Sequence, residues 1–124
     1  AMSVGFALAS SHLSAKLESN LYNNRTWALL GDGCIQEDVT LGAASLAGHL
    51  KLNKLTWYYD YNQQQISGSI HRATSDNVEL IFQGFGWNVI TVQGHDLTGL
   101  RHAMKKADEQ QNKPTLIIGN SIIF

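Results

Sequence analysis

Short apolar runs alternate with segments of helical periodicity along the whole chain. Runs of strand length lie near positions 26–30, 55–59, 87–92 and 115–118. Between them, apolar residues recur at intervals of three or four, the repeat of a helix that buries one face. This alternation predicts an α/β fold in which helices cover both faces of a parallel sheet, with right-handed crossovers between the strands.

Polar signals mark where the predicted helices begin. Acidic residues crowd the start of a helix from Glu37, near the positive end of its dipole. Asp76, three residues before Glu79, predicts a capped start for the next helix, and Asp96 predicts the start of the last one. A long polar stretch at positions 60–75 is predicted to be a loop.

The apolar runs also predict which residues form the core. The first strand, at positions 26–30, reads as buried, and all three tryptophans fall within strand runs: Trp27, Trp57 and Trp87. Cys34 follows the first strand and has no partnered base in the pattern, so we interpret it as a packing residue and not as a nucleophile.

Size and charge narrow the possible functions. The 124 residues, of which 44% are hydrophobic and 15% charged, suit one globular domain. A formal net charge of -1 without charge blocks argues against nucleic acid or an anionic membrane as a partner. No apolar run approaches the roughly 20 residues that span a bilayer. One cysteine excludes an internal disulfide and suits a reducing compartment, so we expect a cytoplasmic protein.

The two ends of the chain predict that residues 1–124 are the core of a longer domain. The helical pattern is already present at the first residues without a capping residue before it. The last residues follow directly after an apolar strand-like run, with no polar tail.

Two polar segments follow neighbouring strands and predict a binding site. Ligands of open parallel sheets bind outside the carboxyl ends of the strands, where Gly31-Asp32-Gly33 and Asn62 are expected. The glycines allow close backbone approach to a phosphate, and a helix N-terminus favours the anion. A carboxylate beside phosphate needs a cation between them, and Mg²⁺ takes oxygen ligands. The alternative is that both segments are ordinary turns.

Longer motifs make the chain resemble one enzyme family. Residues 31–37 are Gly-Asp-Gly-Cys-Ile-Gln-Glu, residues 45–52 are Ser-Leu-Ala-Gly-His-Leu-Lys-Leu, and residues 59–62 are Tyr-Asp-Tyr-Asn. Together they resemble the thiamine-diphosphate motif of the transketolases, which begins with Gly-Asp-Gly and closes at an asparagine about 30 residues on. The resemblance continues through positions 84–87 and 113–117 and covers nearly the whole chain.

The resemblance implies a thiamine-diphosphate-binding fold and specific roles in it. Asp32, Asn62 and the backbone carbonyl of Gln64 would bind Mg²⁺ (or Ca²⁺), and Gly33, with Gly31 before it in the same motif, would lie at the diphosphate. Glu37 would belong to a buried carboxylate network at a dimer interface near the cofactor. The alternative for Glu37 is that it only interacts with the helix dipole.

The resemblance also implies transketolase activity, with sugar phosphates as substrates and a homodimer as the assembly. Family segments that bind the sugar and activate the cofactor are absent from these residues, so we expect no catalytic residue here and no activity of the isolated chain. Alternatives are another thiamine enzyme, such as deoxyxylulose-phosphate synthase or a dehydrogenase E1 subunit, and a non-catalytic interaction subunit. The missing flanking loops would distinguish the other thiamine enzymes. Three departures from the family pattern keep the non-catalytic subunit open: Asp38 for glycine, Tyr61 for aspartate and Gln64 for isoleucine.

Overall fold

The computed structural model describes residues 1–18, 20–66 and 68–123. No helix among these residues is long and apolar enough to cross a membrane. The helices are α1 (Met2–Leu17), α2 (Asp32–Gln36), α3 (Asp38–His49), α4 (Val78–Gly84) and α5 (Leu97–Glu109). The strands are β1 (Thr26–Leu30), β2 (Leu55–Tyr61), β3 (Gln64–Gln65), β4 (Gly68–Ser69), β5 (Asn88–Gln93) and β6 (Thr115–Asn120).

The four predicted strands form one parallel sheet in the order β1-β2-β6-β5. Their bounds lie close to the predicted ones, and β2 and β6 each extend two residues further. Each parallel neighbour is reached through a crossover that contains a helix, as the alternating pattern requires. The predicted α/β fold is therefore confirmed.

Helices cover both faces of the sheet, but unequally. The larger core lies on one face, where α1 to α4 pack against alternate strand residues such as Trp57, Tyr59 and Ile118. On the other face, α5 buries Ala103 and Ala107 against Ile117, with Tyr58 and Ile90 beside them. The alternation follows from the period of two along each strand, which points neighbouring side chains to opposite faces.

β1 is an edge strand, so the prediction that it is buried is wrong. It pairs with β2 and, among the described residues, with no other strand. Trp27 and Leu29 point to the face on which α5 packs, and they are 39% and 81% exposed. The core prediction is therefore wrong for Trp27, whereas Trp57 and Trp87 are buried. An apolar run alone does not distinguish a central strand from an edge strand.

Three local features differ from the sequence predictions. The stretch at positions 60–75 contains a small antiparallel hairpin of β3 and β4. The cap of α4 is Asn77, whose Oδ1 accepts a hydrogen bond from Leu80 N at 3.0 Å, and not Asp76. The extra helix α2 begins at Asp32, inside the glycine motif. Neighbouring Asp and Asn are both good caps, so sequence could not choose between them.

The packing of α3 depends on a close backbone approach at Gly48. A Cβ atom at this position would lie 1.8 Å from the carbonyl oxygen of Phe85. Nearby, Trp87 Nε1 donates a hydrogen bond to the carbonyl oxygen of Ala44 at 2.8 Å, which holds the same helix against the start of β5. Only glycine allows α3 to pack this near.

Gly48→Ala should therefore destabilise the protein by about 1–3 kcal/mol, the usual cost of overpacking a core. Gly84→Ala is the matched control, because a Cβ at Gly84 meets no atom within 4 Å. The control should be neutral or stabilise the helix by up to about 1 kcal/mol. Chemical denaturation of both variants measures the difference, and equal stabilities would contradict the proposed contact.

Candidate functional site

The two predicted site segments lie side by side at the carboxyl edge of the sheet. The parallel register pairs Leu30 with Tyr59, so β1 and β2 deliver their following residues to the same place. Asp32 is the first residue of α2 after β1, and Asn62 directly follows β2. This is the edge at which open parallel sheets bind ligands.

The side chains of Asp32 and Asn62 converge on one backbone nitrogen. Gln64 N donates hydrogen bonds to Asp32 Oδ2 and to Asn62 Oδ1, both at 3.0 Å. The two oxygens therefore approach the same point from adjacent loops, as two ligands of one ion would. The structure brings the three residues together, and their role as metal ligands stays a prediction.

Asp32 is a buried carboxylate with donors on both oxygens. Its side chain belongs to a residue that is 2% exposed, and Oδ1 accepts a hydrogen bond from Tyr59 Oη at 2.5 Å. Burial, and then the hydrogen bond to the Asp32 carboxylate, raise the pKa of Tyr59 well above its ordinary value. Tyr59 therefore stays protonated, and a donor, throughout the neutral range.

Open space adjoins the motif at both glycines. A Cβ atom built on Gly31 or Gly33 would meet no atom within 4 Å. Neither residue has a positive φ, and Gly31 is extended with φ −106° and ψ 179°. The backbone conformation therefore does not require glycine at either position. Space for a ligand that approaches the backbone closely is the reason that remains.

A second carboxylate, that of Asp60, lies next to Asn62, and no individual role was predicted for it from the sequence. Asp60 Oδ2 accepts a hydrogen bond from Asn62 Nδ2 at 3.0 Å, and Asp60 Oδ1 accepts one from the Ser121 hydroxyl. Ser121 follows β6, 61 positions along the chain. The Asp-x-Asn spacing was visible in the sequence, but the Ser121 contact depends on the strand order.

A cavity of about 470 Å³ opens beside Asp32. Its walls include Tyr59 and Tyr61 from β2, His71 from the loop, residues of α4, and Asn120 at the end of β6. The Tyr59 and Tyr61 rings lie 5.6 Å apart between centroids. Tyr61, which departs from the family pattern, thus contributes an aromatic wall where the family usually has a carboxylate.

Glu37 and Cys34 are both exposed in this chain. Glu37 stands between α2 and α3, as the residue that caps α3 without a side-chain hydrogen bond. A network across a dimer interface would need a second chain, so the predicted role of Glu37 stays a prediction. The prediction that Cys34 packs in the interior is wrong, because α2 turns its side chain outward.

The entire chain matches one protein family. The family model described as "Transketolase, thiamine diphosphate binding domain" matches residues 1–124. The chain belongs to this transketolase family. Among its relatives, the transketolases of Bacillus subtilis and Staphylococcus aureus are 38% and 40% identical to it, each over 121 residues and 94% of this chain. The identification agrees with the resemblance of the Gly-Asp-Gly motif.

Solved transketolases share the fold. The transketolase from Leishmania mexicana superposes with a TM-score of 0.90 at 36% identity over 95% of this chain. The Campylobacter jejuni transketolase also gives 0.90, at 32% identity over 94% of the chain. The chain spans 18% of the length of each of these relatives and structures.

The residues present fit the cofactor that the transketolase domain implies. Mg²⁺ prefers oxygen ligands, and Asp32, Asn62 and the Gln64 carbonyl offer only oxygens. Asp32 Oδ2 and Asn62 Oδ1 each accept one bond from Gln64 N and keep a further lone pair for a cation. The described residues contain no group of three or more His, Cys, Asp or Glu side chains that could hold a metal ion.

Tyr59→Phe should lower the free energy of unfolding by about 1.5–3 kcal/mol near neutral pH, the worth of a hydrogen bond to a charged group. Because the pKa of Tyr59 is raised in the folded state, this stabilisation is complete below about pH 10, where the unfolded tyrosine titrates, and declines above it. Denaturation at about pH 8 and pH 11 should show the difference between wild type and variant shrinking. An equal difference in stability at the two pH values would contradict the hydrogen bond from Tyr59 to the Asp32 carboxylate.

Proposed function

We propose that the protein is a transketolase, which uses thiamine diphosphate and Mg²⁺ to transfer a two-carbon ketol unit from a ketose phosphate to an aldose phosphate. The convergence of Asp32 and Asn62 on Gln64, beside open space at two glycines, carries the proposal. It occurs in a chain that matches the thiamine diphosphate-binding domain over its full length. Ordinary turns would not need a buried carboxylate at this place.

The residues of this chain hold the diphosphate end of the cofactor. Asp32 and Asn62 would hold the ion through their side-chain oxygens, and Gln64 through its backbone carbonyl. Held there, an ion would supply the positive charge that lets the Asp32 carboxylate lie near the negative phosphates. The open space at Gly31 and Gly33 lets the diphosphate approach the backbone, and the amides that begin α2 favour an anion.

Thiamine diphosphate, when bound, supplies the nucleophilic carbon that carries the two-carbon unit between sugars. Sugar binding and cofactor activation belong to segments outside these residues, so the chain supplies only part of the active site. We assign the protein to the pentose phosphate pathway and to the cytoplasm, on the basis of this activity and its single cysteine.

We also propose that a second copy of the protein packs on α3. An exposed apolar stripe on this helix and its C-cap consists of Val39, Leu46 and Leu50, which are 63%, 47% and 40% exposed. Residues 7 and 11 positions apart share one helix face. Glu37 is the N-cap residue of the same helix, and we propose that its carboxylate joins the network at this interface.

Asp32→Ala should weaken binding of thiamine diphosphate in the presence of Mg²⁺ by about tenfold or more, because the ion loses its charged ligand. The rate of ketol transfer on bound cofactor should change less. Calorimetry on the full-length protein measures the affinity for the cofactor, and a ketol-transfer assay measures the rate. Asp96→Ala is the control, because it removes the same negative charge at the N-cap of α5 and not at the motif.

Normal cofactor affinity in the Asp32→Ala variant would contradict the role of Asp32 as a metal ligand. Ketol transfer by residues 1–124 alone would show that the chain is more than part of a site. Loss of affinity in the Asp96→Ala control to the same degree would point to net charge instead of coordination.

Leu46→Asp should weaken the dimer by about tenfold or more, because a charge would be buried in an apolar contact. Sedimentation equilibrium of the complete protein measures the dissociation constant. Leu97→Asp is the matched control, since Leu97 is 69% exposed on α5. Equal effects of the two substitutions, or none from Leu46→Asp, would place the interface elsewhere.

A further inference from the structure

The two ends of the Asn62 amide are held by different partners. Its Oδ1 accepts from Gln64 N, and its Nδ2 donates to Asp60 Oδ2, both at 3.0 Å. Reversing the amide would set its NH₂ against the Gln64 N–H and its oxygen against a carboxylate. Two favourable bonds would become two repulsive contacts, so the partners define one orientation.

Asp60 is itself fixed by the end of the neighbouring strand. Its Oδ1 accepts from the hydroxyl of Ser121, and Ser121 N donates to the carbonyl oxygen of Tyr61 at 3.1 Å. The parallel register places Asp60 beside Gly119 of β6. Each carboxylate oxygen thus accepts a hydrogen bond from a different residue, which holds the carboxylate in place.

We infer that Asp60 is a positioning residue that sets the amide of Asn62 so that its oxygen faces the metal. The inference rests on the proposed function of Asn62 as a metal ligand. A free asparagine side chain presents either end, and only its oxygen can bind a cation. An ionised aspartate accepts hydrogen bonds and donates none, so it selects the NH₂ end of Asn62 for itself and leaves the oxygen for the ion.

The Asp60→Ala variant of the complete protein tests the inference through metal binding. Mg²⁺ is titrated calorimetrically at saturating thiamine diphosphate, and its dissociation constant should rise by about 10- to 100-fold, as for other residues that orient metal ligands. Asp60→Ser, whose hydroxyl is one bond shorter, should weaken binding similarly and serves if the alanine variant fails to fold.

Asp60→Asn separates orientation from charge. Its carboxamide oxygen can still accept from Asn62 Nδ2, and its NH₂ can donate to the Ser121 hydroxyl oxygen. Mg²⁺ affinity should therefore stay within about threefold of wild type, which is less than 1 kcal/mol. A loss as large as that of Asp60→Ala would mean that the negative charge alone matters and would overturn the inference.

The same Asp60→Ala substitution in an Asn62→Asp variant tests whether the effect depends on the amide of residue 62. Asn62→Asp replaces the two unlike ends with two equivalent oxygens, which need no orientation. In that background, Asp60→Ala should not weaken Mg²⁺ binding, and it should relieve repulsion between two carboxylates. Equal weakening in both backgrounds would overturn the inference in favour of a general structural role.

One more variant separates this inference from the proposed function. If Asn62→Ala leaves Mg²⁺ affinity unchanged, the proposed metal site is wrong, and the inference is overturned with it. If Asn62→Ala weakens binding while Asp60→Ala does not, the metal site is supported and the inference alone is overturned. Weakening by both, with retention by Asp60→Asn, supports both.

Discussion

The buried carboxylate of Asp32 is the constraint on which the site depends. A charged group this far from solvent is tolerated only where donors surround it. Tyr59 supplies one donor from the strand β2, and the backbone of Gln64 supplies another from the turn beyond it. These two donors are in place only because β1 and β2 are parallel and paired in one register, with Leu30 beside Tyr59. The geometry of the site therefore follows from the topology of the sheet.

Much of this fold could be predicted because its signals are local. Four apolar runs of strand length, separated by helical periodicity, are enough to require a parallel sheet. The same argument places the residues after the first two strands at one edge, and hence Asp32 near Asn62. The resemblance of the motif to the transketolases then gave the cofactor, which the family match over residues 1–124 supports.

The parts that sequence could not predict depend on contacts between distant residues. The bond from Ser121 to Asp60 requires that β6 lies beside β2, and the order of strands is not written in any one segment. Trp27 is exposed because β1 lies at the edge, although its apolar run resembles that of a central strand. The position of Cys34 depends on α2, a helix of five residues that is too short to show a period.

The edge position of β1 has a mechanical consequence. Among the described residues β1 is hydrogen-bonded to one strand only, and a strand bonded in this way can fray at its end, which here leads into Asp32. The hydrogen bonds from Tyr59 and Gln64 to Asp32 connect the end of β1 to the end of β2. A bound ion would add a further link between the same two strand ends. Binding of the ion would then increase the local stability of the end of β1. Loss of the ion would loosen the strand, and loosening the strand would release the ion.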